Sequence, residues 1–150
     1  MDLAPDFDEF IGCLIARGVD FIVVGAYALA YYGAPRFTGH LDVLVRPSLD
    51  NATRLLDALR EFGFPVTDLE AEAVVDRRAL LQMGLPPVQI HVMSTISGVE
   101  WEDAWADRVQ VPFGSHTVAL LGRKTFIQNK RAAGRPKDLA DIDALDGGTN

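Results

Sequence analysis

Apolar positions recur along the chain in two rhythms, and between them they lay out a series of helices and strands. Residues 6–17 carry Phe7, Phe10, Ile11, Leu14 and Ile15 at the spacing of an amphipathic helix, with Gly18 as its stop. Phe21–Val24 is a run of β-branched and aromatic residues that breaks at Gly25. This predicts a buried strand turning sharply into a helix over residues 26–32, ended by Gly33. Residues 40–45 alternate instead, with Leu41, Val43 and Val45 on one face and His40, Asp42 and Leu44 on the other. After Pro47-Ser48 a second amphipathic helix carries Leu49, Ala52, Leu55, Leu56, Leu59 and Phe62, and Gly63 and Pro65 close it.

The second half is read in the same way. Residues 67–76 are acidic and fit a short helix or an irregular loop. A strand is expected over 78–83, a turn at Gly84-Leu85-Pro86-Pro87 and a clear strand at Val88–Met93. In that strand Val88, Ile90 and Val92 share one face, and Gln89, His91 and Met93 the other. If both apolar faces enter one core, His40, Asp42 and His91 look into one cleft. A helix beginning near Val99 with Trp101, Ala104, Trp105 and Arg108 follows, then a hairpin of 109–113 and 116–120 around Gly114-Ser115. Helices over 122–133 and 136–145, the latter opened by Pro136, and a frayed tail over 147–150 complete an α/β (α+β) chain with a mixed sheet flanked by helices.

Composition narrows the classes. At 150 residues, 49% hydrophobic and 23% charged, the chain suits one globular domain over 1–150 with nothing that suggests disorder. No apolar run is long enough to span a bilayer, and the acidic N-terminal stretch is unlike a secretory signal, so a cytoplasmic protein without a membrane partner is expected. The single cysteine, Cys13, sits among apolar residues and is expected to be a buried thiol. A net charge of -7 argues against broad nucleic-acid binding through the overall field. Yet six of the 14 basic residues (Arg123, Lys124, Lys130, Arg131, Arg135 and Lys137) cluster near the C-terminus, as a local surface for a phosphate-bearing ligand would. His116 is expected at the surface, and Tyr27, Tyr31 and Tyr32 read as packing residues with base stacking as the alternative.

The segment from Phe21 to Val45 resembles the nucleotidyltransferase superfold, in particular the small bacterial nucleotidyltransferase-like proteins related to abortive-infection type toxins. In that family a strand ends in Gly-Gly or Gly-Ser, a helix follows, and the next strand carries Asp-x-Asp. The matching positions here are Gly25, Ala26, His40 and Asp42. Arg36-Phe37-Thr38-Gly39 resembles the family's Arg-x-Thr-x lead-in, and the position of a third family carboxylate is matched by His91. The block from Asn129 to Leu139 is also similar, and its lysine, Lys130 here, looks toward the triphosphate in the family. The resemblance extends over most of residues 20–145 and is specific in 25–42 and 129–139.

The resemblance implies a minimal nucleotidyltransferase fold and transfer of a nucleoside monophosphate from a nucleoside triphosphate to a hydroxyl on RNA, protein or a small molecule. It implies a divalent metal, magnesium in the family, and an antitoxin-like partner or a homodimer. Gly25, Ala26, Thr38 and Lys130 become the nucleotide-binding candidates, with Asp42 as metal ligand and His91 as candidate general base. The departure is that two of the three expected carboxylates are histidines. Magnesium wants hard oxygen ligands, so His40, Asp42 and His91 instead compose a two-histidine, one-carboxylate set suited to zinc, manganese, nickel or iron. The alternative is a catalytically inactive nucleotide-binding or protein-interaction module, its histidines filling a cleft that has lost its metals. On that side Lys130 would belong to a solvated basic helix face, and Asp138 and Asp141 would pair with Arg135 or Lys137 within a turn.

Overall fold

The computed structural model describes residues 3–33, 39–76 and 80–148. In chain order the elements are α1 (Pro5–Ala16), β1 (Phe21–Val24), α2 (Ala26–Tyr31), β2 (His40–Val45), α3 (Leu49–Phe62), α4 (Ala71–Val75) and β3 (Leu80–Leu85). They continue with β4 (Val88–Met93), α5 (Trp101–Asp107), β5 (Val109–Phe113), β6 (His116–Leu120), α6 (Arg123–Ala133) and α7 (Pro136–Gly148). The strands form one mixed sheet in the order β3-β4-β2-β1-β6-β5. β1 runs antiparallel to β2 and parallel to β6, β2 runs parallel to β4, and the β3–β4 and β5–β6 pairs are antiparallel hairpins.

Burial is consistent with this order. All four residues of β1 are buried, which suits an apolar run placed in the middle of a sheet with both faces covered. In β2, Leu41, Val43 and Val45 are buried as the alternation requires, but so is Leu44 on the opposite face. That second face is therefore covered toward the strand's C-terminal end and open only around His40 and Asp42. α1 and α3 pack together through Phe10 and Phe62, whose rings meet edge-on at 5.2 Å. α3 starts where the Ser48 hydroxyl accepts from the Asn51 backbone N–H and stops at Gly63. Asn51 is itself buried, and its side chain bonds the backbone of Asp20 and Arg46, which ties α3 to the strand ends that carry the central unit.

Several expectations change. β3 does not stop before Gly84: Gly84 pairs with Gln89 and Leu85 with Val88, so the turn is confined to Pro86-Pro87. Gly84 has φ +76, and a Cβ there would collide with the Val88 carbonyl, so the glycine marks a close approach of two strands and not the turn itself. The expected strand start at residue 78 lies outside the described residues, and residues 67–76 contain the single turn of α4. α7 continues to Gly148, taking two glycines of the expected tail into the helix. His116 is half-buried and not a surface residue, its Nε2 3.2 Å from the Asp8 carbonyl, while the Asp8 carboxylate accepts from the Ser115 N–H and hydroxyl. The β5–β6 turn is thereby fastened to α1.

Cys13 is buried as expected, and burial pushes its thiol up to about 11. Tyr27 packs edge-on against Phe7 and Phe113, and Tyr32 donates to the Leu121 carbonyl at 2.7 Å. Both are packing residues; Tyr31 is half exposed. Among the described residues no helix is long and apolar enough to cross a membrane.

Candidate functional site

Strand register builds the site. β2 and β4 are parallel neighbours with Asp42 opposite His91 and His40 opposite Gln89. Because side chains alternate, these four project from one face of the sheet. Both imidazole Nδ1 atoms lie 3.0 Å from the same oxygen, Asp42 Oδ1. The two rings stack at 4.7 Å with an interplanar angle of 17°. Among the described residues, His40, Asp42 and His91 are the group of side chains close enough to share a metal ion, with ligand atoms all within 4.8 Å of one another.

Gly25 forms the floor. It follows β1, whose last residue Val24 pairs with Asp42, and it adopts φ 71, ψ -143, a region essentially reserved for glycine. Asp42 Oδ2 occupies the space a Cβ would need. Gly25→Ala is therefore expected to cost about 2 kcal/mol in backbone strain and to push the Asp42 carboxylate out of line. A thermal melt reads the first effect and divalent-metal affinity the second; an unchanged affinity would show that Asp42 does not depend on this floor.

A cleft of about 610 Å³ opens over these residues, within the range of about 300–1,000 Å³ that holds small ligands. Gly25, His40, Asp42 and His91 line it together with Asn129, Lys130, Arg135, Lys137 and Asp138. Asn129 donates to the Ser97 carbonyl and Gln128 to that of Gly98, which fixes α6 to the loop that closes the cleft behind Met93. The sequence expectation therefore brings Gly25, His40, Asp42, His91 and Lys130 to one place. Ala26 is buried at the start of α2 and does not line the cleft; α2 has only six residues, too few for a strong N-terminal dipole. Thr38 lies outside the described residues.

Lys130 is not on a solvated helix face. It is buried, with Nζ 3.3 Å from both Asp138 Oδ1 and Asp141 Oδ2. Asp138 is fully buried and accepts from Arg135 through its backbone N–H, its Nε at 2.7 Å and its Nη2 at 3.2 Å. The Arg135 guanidinium, helped by Lys130, holds the Asp138 carboxyl down at about 2, and Arg135 is raised in return. The expected Asp138–Arg135 pair is present, and Asp141 lies against Lys130, eleven positions back along the chain. Gln89, 2.9 Å from His91, had no role assigned from sequence, and Arg135 and Lys137, which line the cleft, were read only as members of the basic cluster and as partners for Asp138 or Asp141. Gln89 carried a signal, since it shares a strand face with His91; for the two cations only their place in the basic cluster pointed this way.

No family model matches the sequence, and no curated protein matches it. Among solved structures, a Thermotoga maritima protein described as a "putative nucleotidyltransferase" aligns with 97% of this chain and 96% of its own, at a TM-score of 0.58 and 12% sequence identity. The fold is nucleotidyltransferase-like. With so few identical residues the similarity is one of backbone path.

Proposed function

We propose that this chain is a nucleotidyltransferase-like protein that binds a nucleoside triphosphate in the cleft around one divalent ion held by His40, Asp42 and His91. The observation that carries the reading is the convergence of two imidazole nitrogens on one carboxylate oxygen, each 3.0 Å from it, in a cleft that Lys130, Arg135 and Lys137 also line. Separations of this size suit donors bound at about 2.1 Å to a single ion.

A pair of magnesium ions does not fit these residues. Two such ions need several hard oxygen ligands, and Asp42 is the one carboxylate among the three converging side chains. Zinc, manganese, nickel or iron fits the nitrogen-rich set, and such an ion would supply positive charge to phosphate oxygens. The chain's own residues do the rest. Gly25 brings backbone close to Asp42, and Arg135 and Lys137, which line the same cleft, supply positive charge for the anionic end of the ligand. Lys130 acts through its carboxylate partners, holding the first turn of α7 against α6.

A second reading, a module that binds nucleotide or a protein partner without turnover, is favoured by the two missing carboxylates and by the neutralised Lys130. Calorimetry separates these from the error they share. The protein loaded with zinc or manganese is expected to bind ATP with one site per chain, several-fold more weakly without the ion. Transfer of α-labelled nucleotide to RNA or protein would mark an enzyme, and binding without transfer a module. Absence of triphosphate binding by the metal-loaded protein would refute the cleft assignment altogether.

A further inference from the structure

We infer that Gln89 is a positioning residue for the metal centre: its side-chain carbonyl takes the Nε2 proton of His91 and so makes Nδ1 the ligand atom. This rests on the metal reading of the cleft and goes past it, to the atom that binds and the residue that selects it.

A neutral imidazole carries one N–H, and the partner of one ring nitrogen decides where it sits. His91 Nε2 lies 2.9 Å from Gln89 Oε1, an atom that can only accept. The proton therefore belongs to Nε2, and the Nδ1 lone pair points at Asp42 Oδ1, 3.0 Å away. Two acceptors at that distance repel unless a proton or a cation lies between them, and a divalent ion held by both is such a cation. The fold prepares this arrangement. Gln89 stands two residues before His91 on β4, opposite His40 of β2, so the strand alternation sets all three side chains on one face. Its backbone N–H donates to the Gly39 carbonyl at 3.0 Å, which holds the base of the side chain in the ladder. An outer partner of this kind fixes ring orientation and raises ligand basicity.

The test is a cobalt(II) titration of the purified full chain, followed by visible absorption and by competition with a chelator. Gln89→Met keeps length and removes the acceptor; it is expected to weaken cobalt binding by about 10- to 100-fold and to shift the absorption band. Gln89→Glu keeps the acceptor and adds charge, and its affinity is expected to match or exceed that of the parent. A role in packing alone would not let glutamate rescue what methionine loses. Parent-like cobalt affinity and spectrum in Gln89→Met would overturn the inference while leaving the metal site standing. No cobalt bound by the parent would sink the metal site and this inference with it. Should Gln89→Met fail to fold, Gln89→Glu decides alone: affinity at or above the parent supports the assignment, and a tenfold loss refutes it.

Discussion

Replacing His40 and His91 together by Asp is expected to strip the cleft of its tight transition-metal binding and to give it magnesium-dependent nucleotidyl transfer. The backbone already points these positions at a common point, since β2 and β4 are in parallel register and both side chains converge on Asp42 Oδ1. The double variant presents three carboxylates there, a hard-oxygen set of the kind magnesium takes. Losing two imidazole ligands should weaken zinc or cobalt binding by at least about 100-fold, since removing even an outer-shell partner costs about 10- to 100-fold. Three adjacent carboxylates also repel one another, so the variant without metal should melt below the parent and recover on adding magnesium. Transfer of label from α-labelled triphosphate is the readout, with each single variant as a control. If the double variant binds cobalt as tightly as the parent, His40 and His91 are not ligands.

Asp138→Asn is expected to be the most destabilising change near the cleft. The carboxylate is fully buried and serves two cations and one backbone N–H. An amide of the same shape removes its charge and leaves Lys130, itself buried, with Asp141 alone. Breaking a buried pair costs about 3–5 kcal/mol, which corresponds to a fall in Tm on the order of 10 °C for a chain of this size. The pH dependence has a definite sign. The folded carboxyl is held at about 2, against roughly 4 for an unfolded aspartate. Its contribution is therefore complete above about pH 4 and fades as pH falls toward about 2. Denaturant curves of parent and variant should lie far apart at pH 7 and approach each other across that window. A gap of constant size would mean that shape, and not charge, makes Asp138 important.

Much of this site was legible because its geometry is local. Alternation in two six-residue strands is enough to put His40 with Asp42, and Gln89 with His91, on single faces. That β2 and β4 are adjacent is a different kind of fact. An apolar stripe says which side of a strand is buried but not which strand lies next to it, so the order β3-β4-β2-β1-β6-β5 had no signature in the pattern. Gly84 misled for a physical reason: glycine serves tight turns and close strand approaches equally, and only the Val88 carbonyl distinguishes the two. Lys130 was hidden by the opposite problem. Its helix face looks solvated because it is charged, while the carboxylates that allow its burial arrive from the following helix. The frayed tail failed in the same way, since terminal glycines say little about whether a preceding helix has a core residue, Leu145, to anchor its last turns.

The chemistry proposed for the cleft depends on one ion shared by three side chains. Anomalous diffraction from crystals grown with cobalt or zinc tests that directly. The prediction is a single strong peak at about 2.0–2.2 Å from His40 Nδ1, Asp42 Oδ1 and His91 Nδ1. A peak elsewhere on the protein, or none in the cleft with both rings still set against Asp42, would contradict it.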